Sequence, residues 1–161
     1  MIESIAEWLE SSAFAVSIAE SAWLFPIIES LHVIALALVV GSIAVVDLRL
    51  LGLASKKRLV TELSAEMLPL TWSAFAMAAV TGLLLFCSNA TGYLDNVLFQ
   101  VKLLLLLLAA ANMGVFHLMA YRSVAQWDQG PVIPAGARIA GGLSLAIWIS
   151  IIIVGRWIGF I

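Results

Sequence analysis

The stretch that decides the fold is Leu98–Tyr121, LFQVKLLLLLLAAANMGVFHLMAY, an apolar run that contains one lysine and one histidine. About 20 apolar residues are enough to cross a bilayer as a helix. At about 100° per residue, Lys102 and Met113 share one stripe of this helix, and His117 lies at its border. An ionisable side chain in a membrane helix is costly, so it usually faces the bundle interior or a cavity. The Lys102–His117 face is therefore predicted to form the inner wall of a functional site.

The composition indicates an integral membrane protein. Of the 161 residues, 63% are hydrophobic and 11% are charged, and the mean hydropathy is +1.11. Soluble domains carry about 25% charged residues. The net charge of −2, without a basic cluster interleaved with aromatic residues, argues against a nucleic acid partner. The single cysteine, Cys87, excludes an internal disulfide and a zinc or iron–sulfur site built on cysteines.

Four apolar runs predict an all-α fold, an integral membrane four-helix bundle that forms a single domain over residues 1–161. The spans are predicted at about 26–53, 67–88, 98–121 and 137–157. Glutamates interrupt residues 2–22, which still keep an apolar side, so this segment is predicted to be an amphipathic interfacial helix before the bundle. Pro26 suits the first turn of the first span. The segment 89–96, NATGYLDN, has the composition of a turn.

The basic residues predict how the spans are oriented. Lys56, Lys57 and Arg58 form the loop after the first span, and Arg122 and Arg138 flank the loop before the last one. Loops rich in lysine and arginine stay in the cytoplasm. Both termini are therefore predicted to lie on the periplasmic side of the membrane.

Two polar layers follow from equal spacings on the first and third spans. His32 and Asp47 are fifteen residues apart, and so are Lys102 and His117. Fifteen helical residues rise about 22 Å and rotate a side chain by about 60° beyond whole turns. If the two spans lie side by side in register, an outer layer of His32 and Lys102 faces an inner layer of Asp47 and His117.

The outer layer suits a haem. Imidazole is a common axial ligand of haem iron, which makes His32 the first candidate. Lys102 is either a sixth ligand, if burial deprotonates it, or a cation that binds a propionate. Met113 is predicted to line the cofactor with an apolar bed of small and branched side chains. That bed comprises Leu36, Val39 and Ile43 on the first span and Ala109 on the third.

The inner layer suits a proton path or a metal site, in which the Asp47 carboxylate orients the His117 imidazole. The candidate metal ligands of the chain are His32, Lys102, His117 and Asp47. Structural interpretations remain open beside these. His32 could bond a backbone carbonyl, Lys102 could extend to the outer interface, and Asp47 could form a helix-end charge cluster with Arg49. Met113 could equally be a core residue.

Several motifs, in this order and placement, resemble a bacterial superfamily of four-helix membrane proteins. They are LHVIALALVVGS at 31–42, DLRLLG at 47–52, Thr81-Gly82, and the set Phe99, Lys102 and Asn112. The superfamily includes CopD copper-resistance proteins, HemJ-type protoporphyrinogen oxidases and uncharacterised relatives, and the DLRLLG form looks closest to an uncharacterised group. The HemJ likeness implies haem b held by His32 and Lys102. The CopD likeness implies copper passage, and both imply the bacterial inner membrane.

The expected function is a haem-b-binding membrane protein with a redox role. It would carry electrons between a quinone or porphyrin-like donor and an acceptor, and a membrane oxidoreductase activity is compatible with this. Copper or ion handling is one alternative, although copper(I) prefers thiolate and thioether ligands, which are scarce here. A non-catalytic subunit of a membrane complex is another. A homo-oligomer or a place in a larger complex is expected in either case.

Overall fold

The computed structural model describes residues 2–130 and 132–160, and within these ranges the protein contains helices and no strand. The α-helices are α1 Ile2–Glu10, α2 Ala13–Glu20, α3 Leu24–Leu50, α4 Val60–Cys87, α5 Ala90–Asp95, α6 Val97–Leu118, α7 Val124–Trp127 and α8 Ala135–Trp157. A turn of 3-10 helix at Tyr121–Ser123 precedes α7. The helices α3, α4, α6 and α8 are long and apolar enough to cross a membrane. The prediction of an all-α membrane four-helix bundle is confirmed.

The bounds of three spans lie close to the predicted ones, but α4 begins at Val60, well before the predicted residue 67. The reason is a cap from a distant residue. The carboxylate of Asp128 accepts hydrogen bonds from the backbone N–H of Val60 at 2.6 Å and of Thr61 at 3.0 Å. These are two of the donors that a helix N-terminus leaves unsatisfied. Pro69 consequently lies inside α4 and not near its start.

The four long helices are not packed symmetrically. The closest pairings are α3 with α4, α6 with α8, and α3 with α8, whereas α4 and α6 are not closely paired. A side chain at Gly141 of α8 would lie 3.2 Å from the Asp47 carbonyl oxygen and 3.1 Å from Leu50 of α3. Glycine is therefore needed for the approach of α8 to α3. The bundle is left with a looser side between α4 and α6.

The two ends of the bundle contain different segments. The basic end holds the loop 51–59 and the residues 119–130 and 132–134, and the terminal end holds α1, α2, α5 and the C-terminus of α8. Three apolar clusters form the core along this axis. Ile18, Ile28 and Leu85 lie at the terminal end, Val39, Ala74, Trp148 and Ile151 at the centre, and Leu50, Val60, Trp127 and Ala137 at the basic end.

The segment 2–22, predicted to be one amphipathic helix, forms two. The break lies before Ser12, whose side chain accepts a hydrogen bond from Ala15 N–H at 3.2 Å and so caps α2. The predicted turn at 89–96 contains the short helix α5. Glu10 of α1 accepts hydrogen bonds from the N–H and hydroxyl groups of Thr91, at 3.2 and 2.6 Å. These bonds lower the pKa of the Glu10 carboxyl group and hold α1 against α5.

Candidate functional site

The outer site is built on a hydrogen bond between α3 and α4. The half-buried His32 has its Nδ1 atom 3.0 Å from Oγ1 of Thr81. The same hydroxyl lies 2.7 Å from the Met77 carbonyl oxygen, which can only accept. A hydroxyl has one proton to donate, so donation to Met77 leaves Thr81 to accept from the Nδ1–H of His32. In this tautomer Nε2 of His32 keeps a free lone pair.

Gly82 makes room for the imidazole. A Cβ atom at this position would lie 3.0 Å from Cε1 of His32 and 3.5 Å from Nδ1. The ring therefore packs directly on the backbone of α4, where a side chain would displace it. The motif Thr81-Gly82 thus has two physical roles, because Thr81 orients His32 and Gly82 accommodates it.

Lys102 lies at the same end of the bundle as His32. Its side chain is half buried and runs past Gly155 of α8, where a Cβ atom would lie 3.8 Å from both Cε and Nζ. In the part of the chain that the structure describes, the one ion pair joins Arg58 and Glu66, and Lys102 has no carboxylate within 4.0 Å. The structure therefore places an imidazole and an amine without a carboxylate partner in the described ranges at the same end of the bundle.

Two residues of the predicted apolar bed, Val39 and Ala109, and also Met113 lie away from His32 along the bundle. Val39 and Ala109 pack with Trp148 and Ile151 in the central core cluster, which separates the outer layer from the inner one. Met113 lies on the far side of that cluster and lines a cavity near the basic end. The physical reason is distance, because eleven residues separate Met113 from Lys102 and rise about 16 Å along α6. That Met113 lines the cofactor stays a prediction, and in the structure it lines the cavity.

The cavity has a volume of about 310 Å³ and lies between all four long helices. Its walls are mostly apolar and carry several aromatic rings, namely Trp72, Phe75, Phe116 and Trp148. A few polar side chains interrupt them, namely Ser42, Asp47, Ser64, Thr71, Asn112, His117 and Ser144. An apolar cavity with few convergent polar groups is the usual form of a small-molecule site.

Asp47 is the exceptional group in this cavity. Only 6% of its surface is exposed, and its Oδ2 atom is buried without a hydrogen-bond partner among the described residues. Ser144 of α8 lies next to the carboxyl group. Arg49, the other member of the alternative helix-end charge cluster, donates its Nε–H to the Arg58 carbonyl oxygen at 2.7 Å. A buried carboxyl oxygen without a hydrogen-bond partner is costly and calls for an explanation.

His117 shares the cavity with Asp47 but does not contact it. The exposed imidazole has Nδ1 2.9 Å from the Met113 carbonyl oxygen of its own helix, and no carboxylate of the described ranges lies within 4.0 Å of it. Its ring packs against Tyr121, with centroids 5.2 Å apart. The inner layer thus places both residues around one space without the direct pairing that was predicted.

The four candidate metal ligands form two separate groups. His32 and Lys102 lie at the terminal side of the central core, whereas Asp47 and His117 line the cavity on its other side. Over residues 2–130 and 132–160, no three His, Cys, Asp or Glu side chains come close enough to hold one metal ion. A single site that uses all four residues is not formed.

Sequence reasoning missed Ser144 and Trp148, two cavity residues on α8. Trp148 is the one aromatic residue in the aliphatic stretch LAIWISIII at 145–153, and this contrast could have identified it from the sequence. Asn112, noticed only as part of a motif, donates its side-chain N–H to the Ala140 carbonyl oxygen at 3.0 Å. It ties α6 to α8 beside the cavity.

Comparison with known proteins yields one match. No curated protein and no solved structure matches this chain. A family model matches residues 5–161, almost the whole chain. The protein belongs to the family of unknown function DUF6644.

Proposed function

We propose that this chain is a haem-b-binding integral membrane protein with a redox role, and that His32 is an axial ligand of the haem. The observation that carries the proposal is the hydrogen bond between His32 Nδ1 and Thr81 Oγ1, at 3.0 Å. It fixes the ring and leaves Nε2 with the lone pair that iron needs, as second-shell partners of ligating histidines do. The likeness of the His32 and Lys102 motifs to HemJ-type proteins supports the same assignment.

Lys102 fits either of two roles beside His32. As a neutral amine it would be the sixth ligand, and as a cation it would bind a propionate. Its lack of a carboxylate partner within the described ranges leaves the amino group available for both. The bound haem would supply one-electron chemistry at its iron, while His32 and Lys102 hold it in the membrane.

The central core limits where the porphyrin can lie. Val39, Trp148 and Ile151 are buried and fill the bundle between His32 and the cavity. A haem on His32 would therefore lie outside this cluster, and the bed on Val39 and Ala109 is not part of the proposal. Electron exchange with a quinone or porphyrin-like donor is the proposed role. Copper handling and a non-catalytic place in a complex are the alternatives that the experiment below tests.

The visible spectrum of detergent-purified protein, reconstituted with haem, tests the proposal. We expect a sharp band in the reduced form, its loss in His32→Ala, and its retention in His117→Ala, the matched change at the other histidine. Both variants are assayed for helix content by circular dichroism, so that loss of haem is not confused with loss of fold. Protein that stays colourless, or a full unchanged band in His32→Ala, would contradict the assignment.

We further propose that the chain lies in the bacterial inner membrane with both termini periplasmic. The support is the basic loop with Lys56, Lys57 and Arg58 at one end of the bundle. A cysteine at Lys57, in a background with Cys87→Ala, should resist membrane-impermeant thiol reagents in intact spheroplasts. A cysteine at Asp95, at the other end, should react. If the cysteine at residue 57 reacted and the one at residue 95 did not, the orientation would be the opposite of the one proposed.

A further inference from the structure

The cavity reaches the side of the bundle between α4 and α6. These two helices are not closely paired, and the cavity walls between them include partly exposed side chains from both. Trp72 and Phe75 of α4 are 53% and 40% exposed, and Met113 of α6 is 41% exposed. Ala110, also on α6, is exposed, and its small side chain leaves a gap between the two helices. All four lie within spans, so this mouth faces the bilayer interior and not water.

The shape of the interior favours a planar ring. Trp72 and Phe75 stand on one helix at the mouth, Phe116 stands on a second helix, and the buried Trp148 stands on a third. Aromatic side chains on several walls contact a flat ring by stacking and edge-to-face packing. A volume of about 310 Å³ holds a single ring system, and an apolar tail would leave through the mouth into the lipid.

The polar requirement of the ligand comes from Asp47. Asp47 lines this cavity, and its Oδ2 atom is buried and lacks a hydrogen-bond partner in the described part of the chain. A ligand that donates one hydrogen bond to the Asp47 carboxyl group would give this group a partner from the cavity. A plain acyl chain has no donor, and a phosphate headgroup carries the same charge as a carboxylate. The hydroxyl of an aromatic ring meets both the shape and the polarity of the site.

We propose that this cavity binds the ring of a membrane-soluble quinol that enters from the bilayer between α4 and α6, with a ring hydroxyl donating to the carboxyl group of Asp47. As the donor site of the redox protein, the assignment rests on the proposed function. The binding itself needs no haem, so failure of one proposal can be told from failure of the other. Ser144 lies beside the carboxyl group and can bond a second polar atom of the headgroup.

Tryptophan fluorescence of the haem-free protein in lipid nanodiscs tests the proposal, because Trp72 and Trp148 both line the cavity. The probe is a decyl-tailed benzoquinol, kept reduced. We expect saturable binding that Asp47→Leu, which keeps the branched shape but has no acceptor, weakens about tenfold or more. Ala110→Phe should abolish binding by filling the mouth. Ala111→Phe, the matched change at the next residue of α6, does not reach the lining and should leave binding unchanged.

A comparison on the unmodified protein keeps the test decisive if a variant fails to fold. Decylbenzene has the same tail and ring but no hydroxyl groups, and we expect it to compete at least tenfold less well than the quinol. Equal competition by the two probes would show that the cavity takes apolar chains only and would overturn the proposal. So would quinol binding that is unaltered by both Asp47→Leu and Ala110→Phe.

Discussion

The imidazole of His32 and the hydroxyl of Thr81 are joined across α3 and α4, with 3.0 Å between Nδ1 and Oγ1. A second polar pair joins the same two helices nearer the basic end, where Ser42 Oγ lies 2.8 Å from Thr71 Oγ1. Both threonine hydroxyls also donate to carbonyl oxygens of α4. The two bonds are chemically similar, but only the first orients a group that can bind a metal. This similarity makes them a matched pair for mutagenesis.

Thr81→Val should weaken haem binding more than it weakens the fold. Valine has the shape of threonine but cannot accept the Nδ1–H of His32, so the ring loses its fixed tautomer and orientation. Loss of a second-shell partner lowers metal affinity by roughly 10- to 100-fold. Haem titration followed by absorbance measures the change. Thr71→Val is the control and should cost a similar hydrogen bond while leaving haem affinity unaltered. Equal effects of the two variants would show that Thr81 is merely structural.

Gly82→Ala should displace His32. The added Cβ atom would lie 3.0 Å from Cε1, so either the ring moves or the two helices separate. Gly41→Ala is the control, because nothing lies within 4 Å of the Cβ atom at that position of α3. Replacing glycine with alanine within a helix raises the free energy of unfolding by up to about 1 kcal/mol where the added methyl group meets no other atom. We therefore expect Gly41→Ala to unfold at a slightly higher temperature with unchanged haem binding. Gly82→Ala should lose haem. Normal haem binding in this variant would show that His32 is not the axial ligand.

The sequence predicts the spans well because a bilayer imposes a simple rule on helix length and polarity. The spacing of His32, Asp47, Lys102 and His117 likewise predicts two layers, since the rise of a helix is nearly constant. The cavity could not be predicted in this way. It depends on α4 pairing with α3 and not with α6, which follows from tertiary packing such as the close approach at Gly141.

The early start of α4 has a similar explanation, because its cap, Asp128, lies 68 residues away in sequence from Val60. No local pattern around Val60 signals that partner. The motif Thr81-Gly82 illustrates a different limit. It was visible in the sequence, but its physical meaning required knowing that His32 packs on it.

The cap on α4 should make stability depend on pH. Asp128 is 5% exposed, and burial by itself would raise the pKa of its carboxyl group. Hydrogen bonds from Thr61 and Val60 and the charge of Arg49 outweigh burial, so the pKa lies below its ordinary value. The stabilisation is thus complete above the pKa of an unfolded aspartate, about 3.9. It is lost as the pH falls through the lower pKa of the folded protein.

Asp128→Ala should accordingly cost about 1–2 kcal/mol at neutral pH, as the loss of a helix cap does. The midpoint temperature of thermal unfolding is measured in detergent from about pH 6 to about pH 3. Below about pH 4 it should fall less steeply in this variant than in the native protein. Asp95→Ala, which removes an exposed aspartate at the opposite end of the bundle, is the control. It should leave the fall of the unfolding temperature at acid pH unchanged. If the unfolding temperature of Asp128→Ala fell at acid pH as steeply as that of the native protein, the cap would be excluded as the cause of this fall.

The two roles open to Lys102 are separated by comparing Lys102→Ala with Lys102→Arg. Alanine removes both a ligand and a cation, so we expect weaker haem retention or a shifted spectrum. Arginine keeps the positive charge but stays protonated in proteins and cannot ligate iron. If Lys102 binds a propionate, Lys102→Arg retains the native spectrum and most of the affinity. If Lys102 is the sixth ligand, Lys102→Arg shows the spectrum of a haem that has lost one axial ligand, as Lys102→Ala does. Native spectra and affinities in both variants would remove Lys102 from the site, because neither a ligand nor a counter-ion survives replacement by alanine.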